Sequence, residues 1–464
     1  MPSGADHEPG WDGGALNGPG EEVGRPHVPP ARVLIVSFHS PPGGGVGGLR
    51  WWALGRHLAR RGWRVHLLSA QTGTPRQTVP EGMVLEGISP QTTLNDRYRR
   101  WKRSRLPPQT SQAASAGEAK GKGQVGDRRD RSSGLGAFRR ELGSLLSFPD
   151  EGRGWLLPAA RAVRGSVSAF RPSVVVSTGP PHSVHLAAAL GLRGSSIPWV
   201  VDFRDPWADE ARAHLDAAWA VPFLARMEAS VIRSSGQVLT TTPELARVLS
   251  RRYPGAMVRW LPNGVDVDTL PHRDAGRGHR FSLVHLGTLY HRRDPVPAVA
   301  AFARLLQRNP SMRRDGAVLK FVGRTGSAYR TAIEAMAREL RVADHVELTG
   351  VLPREEALRL LAGSTVSLVL AQDQETAVPA KIYEAAGMGL PALVITEPES
   401  ASAHAGRRLG AAVHSPGDVE GMVRSLESAW WGEWSGELPP DTVVDYAELA
   451  KWAETILLRS AGRW

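Results

Sequence analysis

Lys381 and Glu384 stand in the run Pro379-Ala-Lys-Ile-Tyr-Glu-Ala-Ala-Gly-Met-Gly-Leu-Pro391, the most chemically suggestive stretch of the chain. The run predicts a short helix that closes at Gly387 and Gly389 and feeds a buried strand over Ala392 to Thr396. A carboxylate in the first turns of such a helix can accept hydrogen bonds from a ribose diol. The unpaired backbone N–H groups at its start suit a diphosphate, with Lys381 as a phosphate partner. The plainer alternative is a helix carrying a solvated lysine and glutamate.

Four other segments pair polar groups with loops that follow apolar runs. Gly43 to Gly48 satisfies G-x-G-x-x-G after the strand-like Arg32-Val-Leu-Ile-Val-Ser-Phe. A dinucleotide site also wants an acid at the end of the second strand, and that strand ends Leu67-Leu68-Ser69-Ala70. The oxidoreductase reading therefore ranks last, and a tight turn needing glycine's freedom is the simpler rival to a ligand loop. Asp202-Phe-Arg-Asp-Pro-Trp207 sets two carboxylates around Arg204, so these groups must be paired, solvated or ligand-binding. Ser177-Thr-Gly-Pro-Pro-His182 ends in a histidine that either packs or serves the site. His285-Leu-Gly-Thr-Leu-Tyr-His-Arg-Arg-Asp294 offers a basic turn, and guanidinium groups there could hold a diphosphate bidentately.

These segments need a scaffold that brings strand ends together, and the apolar pattern predicts one. Strands are expected at Arg32–Phe38, Trp63–Ser69, Ser173–Ser177, Trp199–Phe203 and Gln237–Thr242. Helices fall between them at Leu49–Arg61, Trp155–Phe170, Val184–Leu192, Pro222–Ser234 and Glu244–Arg252. A polar stretch from His272 to His279 suggests a boundary, and a second alternation runs from Phe281 to Thr396. Continuous apolar strands alternating with helices mean parallel sheets with right-handed crossovers, here two in tandem. The expected organisation is a disordered tail over 1–30, a first domain over 31–270, a second over 271–440 and a C-terminal helix over 441–464. Two such sheets place a cleft where the C-terminal strand ends face each other.

Composition narrows the classes further. A chain of 464 residues with 41% hydrophobic and 22% charged residues fits two ordinary globular domains. There are no cysteines, which removes disulfides, Cys-zinc sites and thiol nucleophiles. The first thirty residues lack an apolar signal core, and no apolar run is long enough to span a bilayer. The reading is a cytoplasmic protein. The net charge of +11 is concentrated at Arg99–Arg131, where ten basic residues face three acidic ones. This stretch lies in a flexible insertion over about 99–133, either a solvated loop or an attraction to an anionic leaflet on the inner face of the membrane. No nucleic-acid module surrounds it.

Taken in order, these motifs resemble those of family 4 glycosyltransferases, over roughly Arg32 to Thr396. DFRDPW is similar to a branch associated with bacterial surface polysaccharides and related glycans. The resemblance implies an α/β fold of two tandem Rossmann-like domains (GT-B), with a C-terminal helix packing back on the first. It implies a retaining sugar transfer from a nucleotide-sugar to a glycan, lipid-linked or small-molecule acceptor, with no metal or other cofactor. Arg293, Lys381, Asp205 and His182 would be catalytic. Gly47, Gly48, Gly287, Thr288, Arg292, Gly323, Arg324, Val351, Thr376, Val378, Ala380 and Glu384 would bind the donor. Gly45, Gly179, Asp202, Arg204 and Trp207 would face the acceptor. Two departures stand out: Thr288 replaces an arginine, and Thr376 replaces the first glutamate of the family's pair. A sugar-nucleotide epimerase on the same fold and a non-catalytic binding subunit remain the rivals.

Overall fold

A computed structural model describes residues 31–41, 46–70, 79–93, 96, 148–209, 219–273, 280–289, 293–434 and 444–462. The expected tail, the basic insertion, Gly45 and Arg292 lie outside the described residues. The first sheet contains β1 (Arg32–Ser37), β2 (Arg64–Ser69), β3 (Met83–Gly87), β4 (Val174–Gly179), β5 (Trp199–Phe203), β6 (Gln237–Thr240) and β7 (Val258–Trp260). Its order is β3-β2-β1-β4-β5-β6-β7, and every pairing is parallel. Helices α1 (Leu49–Arg60), α2 (Arg153–Phe170), α3 (Ser183–Gly191), α4 (Ala220–Ser234) and α5 (Pro243–Arg252) provide its crossovers. The central strands read as unbroken apolar runs because they are buried on both faces, as Val174 to Val176 illustrate at 0% exposure.

The second sheet contains β8 (Ser282–Leu286), β9 (Val318–Val322), β10 (Val346–Gly350), β11 (Val366–Leu370), β12 (Ala392–Ile395) and β13 (Ala412–His414). Its order is β10-β9-β8-β11-β12-β13, again parallel throughout. Around it lie α6 (Val296–Arg308), α7 (Pro310–Arg314), α8 (Ser327–Glu339), α9 (Arg354–Ala362), α10 (Ala380–Gly387), α11 (Ala401–Arg408) and α12 (Val419–Trp431). Phe281, Phe302 and Phe321 fill one of its cores together with Leu305, Leu319 and Leu368. In each sheet the strand order reverses beside the first strand, β1 or β8, which is where an open α/β sheet leaves a crevice at its C-terminal edge.

The last helix, α13 (Tyr446–Ser460), returns to the first sheet. Leu449, Ala453 and Leu457 pack with Trp51, Trp52, Leu54 and Leu58 of α1. Glu454 of α13 accepts hydrogen bonds from the Trp63 indole at 2.9 Å and from Arg61 Nε at 2.7 Å, tying the helix end to the turn before β2.

The chain crosses between the sheets twice, and the crossings lie side by side. Val265 N–H donates to Val444 O and Tyr446 N–H to Val265 O, both at 2.8 Å. Arg56 of α1 pairs with Asp266 on the first crossing at 2.9 Å. The C-terminal strand ends of the two sheets also meet. Thr242, just past β6, donates its hydroxyl to Thr376 O, just past β11, at 2.7 Å. Nearby, His404 of α11 lies 3.0 Å from Glu244 of α5.

Strands β3, β7 and β13 and helices α7, α11 and α12 are absent from the sequence-based expectation. β3 and β13 are edge strands in which only Met83 is fully buried, so neither carries a continuous apolar run. β7 is three residues long and only half-buried. Helix α11 is polar overall and starts at a Ser400 cap, whose hydroxyl accepts from Ala403 N–H.

Candidate active site

Loops at the C-terminal ends of the two sheets build two clusters. In the first, Arg204 follows β5, and its guanidinium is spent on backbone. It donates to Gly179 O at 2.9 Å, Gly47 O at 2.6 Å and Pro180 O at 2.6 Å. One cation thereby holds the glycine turn, the Gly-Pro-Pro loop and the β5 end in one arrangement. Gly48 has no space for a side chain, since an added Cβ would lie 2.9 Å from Ser40 backbone atoms. At Gly47 an added Cβ would meet Arg204 at 3.4 Å and His39 at 3.6 Å.

Asp202 is fully buried and fully used. Its carboxylate accepts from the Trp51 indole at 2.8 Å and Thr178 Oγ1 at 2.7 Å, and pairs with Arg50 at 3.4 Å. Arg50 in turn donates to Leu261 O at 2.7 Å and Pro262 O at 2.6 Å, so the network reaches the first crossing. Trp207 is 3% exposed and stacks on His182 with ring centroids 5.0 Å apart. Asp202 and Trp207 are enclosed by packing, whereas Arg204 is half-buried and gives three of its N–H donors to carbonyls. His182, expected to be catalytic, stands at the N-cap position of α3 without a side-chain capping bond and is buried against Trp207 and Phe203.

Asp205 fits the cluster differently. It is half-buried and makes no hydrogen bond or ion pair among the described residues. Burial raises its carboxyl above the usual range, with Asp202 adding to the rise and Arg204 opposing it. His39, which the sequence reading passed over, borders the same turn; burial and the Arg204 charge push its imidazole down to about 4. Its place one residue past β1's apolar run was the available signal. Gly179 brings its backbone against His185, whose Nδ1 lies 2.9 Å from Ser177 Oγ. Burial pushes His185 down to about 3.

The second cluster forms around Gly287, just past β8. Gly287 takes φ +138° and Gly323, just past β9, takes φ +140°. A Cβ on Gly323 would lie 2.2 Å from Gly287 O, so only two glycines allow these loops to touch. Gly287 N–H donates to Val322 O at 2.8 Å and Gly323 N–H to Gly350 O at 2.7 Å, linking three strand ends. The point where a Gly287 Cβ would stand is 3.5 Å from an Arg293 guanidinium nitrogen, 3.6 Å from Lys381 Cε and 3.8 Å from His285 Nε2. Burial lowers Lys381, with Arg293 and Arg354 adding to the fall and Glu384 opposing it. Glu384, 2% exposed, accepts from Arg354 of α9 at 2.8 Å. That ion pair was not foreseen, because Arg354 is 30 residues away in sequence.

The remaining expected donor residues occupy the loops around this cluster. Thr288 O accepts from Arg293 at 3.4 Å, and Arg324 O accepts from Leu289 N–H at 2.9 Å. Val378 is buried and Ala380 opens α10. Val351 is 62% exposed, and Thr376 serves the inter-sheet hydrogen bond through its carbonyl. Among the described residues, one His/Asp group has spacing compatible with a metal ion, namely His57, Asp266 and Asp445. It lies at the crossings, where Asp266 pairs with Arg56 and Asp445 caps α13.

Residues 44–264 match the model of a glycosyl transferase 4-like domain, and residues 272–430 match that of glycosyl transferases group 1. The chain thus carries two glycosyltransferase domains, one on each sheet, in the GT-B fold. A mycobacterial relative is the GDP-mannose-dependent alpha-(1-6)-phosphatidylinositol monomannoside mannosyltransferase of Mycobacterium tuberculosis. It is 30% identical over 154 residues, covering 30% of this chain and 38% of that protein. The chain thus aligns with well under half the length of that curated relative. Among solved structures, the catalytic domain of starch synthase IV from Arabidopsis thaliana, bound to ADP and acarbose, superposes with a TM-score of 0.57. The match has 13% identity and covers 94% of this chain and all of that one. Sucrose-phosphate synthase from Thermosynechococcus elongatus gives a TM-score of 0.54 at 13% identity, covering 93% and 98%. At such identities the likeness concerns the fold. For this GT-B glycosyltransferase, the two clusters therefore sit on the two sheets that define the fold.

Two outcomes follow from the buried groups. Asp202→Ala should lower unfolding free energy by about 3–5 kcal/mol, since it strands Arg50 and the Trp51 indole without water. A surface acceptor contact would cost within about 0.5 kcal/mol, and urea denaturation separates the two. The pH dependence is also fixed in sign. His185 and His285 are held neutral in the fold, with pKa values down to about 3 against an ordinary 6.5. Below pH 6.5 the unfolded chain takes up protons that the folded chain refuses, so stability falls as pH drops from 6.5 towards 3. The slope is at most about 1.4 kcal/mol per pH unit for each histidine. Urea unfolding of wild type and His285→Asn at pH 7.5, 6.0 and 5.0 should show a flatter dependence in the variant.

Proposed function

We propose that this GT-B glycosyltransferase moves a sugar from a nucleoside-diphosphate donor to an acceptor hydroxyl, with retention at the anomeric carbon. The observation that carries this is the meeting of Arg293, Lys381 and the start of α10 around Gly287, beside the buried Glu384. Two cationic side chains converge on a backbone with no Cβ in the way, and the Ala380 and Lys381 N–H groups that open α10 have no intrahelical acceptors. Such a place suits a diphosphate. The second free oxygen site of Glu384, with Arg354 holding the first, suits a ribose diol.

The chemistry follows from charge development. As the glycosidic C–O bond breaks, negative charge gathers on the departing diphosphate. Arg293 and Lys381 are already positioned to stabilise it, without reorganisation at the moment of reaction. A front-face course, in which a phosphate oxygen takes the acceptor proton, needs no enzymic nucleophile and no metal. Asp205 is the carboxylate beside the other cluster that orients the acceptor hydroxyl. The DFRDPW segment and the mycobacterial relative favour a glycan or lipid-linked acceptor at the inner face of a membrane. The basic Arg99–Arg131 segment would supply attraction to anionic lipid. No helix among the described residues is long and apolar enough to cross a membrane.

A thermal-shift screen against UDP-, GDP-, dTDP- and ADP-sugars, with NAD and NADP as controls, tests the donor. One series at ~100 times its dissociation constant should add about 2.7 kcal/mol, in the presence of EDTA as well as in its absence. Glu384→Ala should remove that shift. Arg293→Ala should reduce turnover far more than donor affinity, whereas equal losses would mean ground-state binding alone. Donor binding without turnover for any acceptor would indicate a non-catalytic subunit, and a response to NAD alone would overturn the assignment. Separately, deletion of residues 103–131 should reduce co-sedimentation with phosphatidylserine-containing liposomes, and unchanged sedimentation would refute the membrane contact.

A further inference from the structure

His285 is the one titratable group at the second cluster for which the reaction above has no use. It is 2% exposed, at the end of β8, two residues before Gly287. Its Nδ1 lies 3.0 Å from Leu368 O on the neighbouring strand β11. A carbonyl can only accept, so Nδ1 carries the proton and, in the neutral ring, Nε2 carries a lone pair. That nitrogen is buried and has no hydrogen-bond partner. It points into the space above Gly287, where Arg293 and Lys381 also converge.

A lone pair there is the complement of what surrounds it. Lys381 makes no hydrogen bond or ion pair among the described residues, although its stem lies beside the same point over Gly287. A lysine on a flexible stem has three donors to place and loses rotamer freedom when they are fixed. A leucine at position 285 would leave those donors unanswered on the protein side. A protonated histidine would add a third positive charge, and burial with Arg293 and Lys381 close by holds the ring neutral, at about 3.

We propose that His285 is a positioning residue whose Nε2 lone pair accepts a hydrogen bond from the Lys381 ammonium and aims its other donors at the donor diphosphate. Leu368 O sets the tautomer, the tautomer sets the acceptor, and the acceptor sets the ammonium. The inference rests on the donor-site reading given above.

Two substitutions separate this role from packing. His285→Asn keeps an amide donor where Nδ1 was and deletes Nε2. His285→Gln places an amide group near the position of Nε2 and can restore the acceptor. The readout is the affinity of GDP, UDP and ADP against the matching monophosphates, measured by calorimetry. In wild type the diphosphate that binds should be favoured, and Lys381→Ala should cut that preference about tenfold, the size of one charge-assisted hydrogen bond. His285→Asn should cut it about three- to tenfold, His285→Gln should restore it to within about twofold, and Asn should add little on top of Lys381→Ala. An unchanged preference in His285→Asn would overturn the proposal. So would equal losses in Asn and Gln that add to that of Lys381→Ala, since packing would produce them. A wild type with no preference for diphosphates, or a Lys381→Ala variant that keeps the wild-type preference, would instead remove the donor-site reading beneath it.

Discussion

The arrangement of the first sheet's loops hangs on a carboxylate that never meets water. Asp202 gathers an indole from α1, a hydroxyl from β4 and a guanidinium that continues into the first crossing. An unpaired charge in that position would be too costly to keep, so each partner is obligatory and the four elements have one mutual placement. Arg204, two residues on, repeats the device in reverse: a half-buried cation gathers three carbonyls from two loops. The polar residues of this segment build the walls of the crevice, and the wall leaves His39 and Asp205 at its border.

The second sheet solves the opposite problem. Among the described residues its cluster sets Arg293, Lys381 and Arg354 around the carboxylate of Glu384, already engaged by Arg354. Like charges close together repel, and burial has lowered Lys381 accordingly. The strain is tolerable because Gly287 and Gly323 keep the backbone out of the way and because the neighbouring histidine stays neutral. A polyanion entering this space relieves a repulsion as well as forming new contacts. Under the proposed function, that is preorganisation in its electrostatic form.

Much of this was legible in the sequence. The unbroken apolar runs at Arg32, Ser173, Trp199, Phe281 and Val366 announced buried parallel strands, because burial on both faces erases alternation. The convergence of Gly287, Arg293 and Lys381 was readable from the position of each just after a strand or at a helix start. Edge strands were not, since an edge exposes one row of side chains and Met83–Gly87 carries no apolar run. The internal partners within DFRDPW were not legible either. A carboxylate, a guanidinium and an indole look the same in sequence whether they meet a ligand or the interior. What decides is partners far along the chain, such as Trp51 for Asp202 and Gly47 for Arg204. The Arg354–Glu384 pair was hidden for the same reason.

The paired crossings at Val265 and Val444–Tyr446 carry a mechanical meaning. Two strands of chain held together by hydrogen bonds resist sliding past one another, yet both can flex at the same level. The two lobes are thereby joined at one place by both passages of the chain. Close beside the crossings stand Thr242 and Thr376, joined by one hydrogen bond, and the His404–Glu244 contact, since Val378 and Ala401 share a core with Val265. These contacts form one band where the chain crosses, and that band sets the register between the two facing loop clusters.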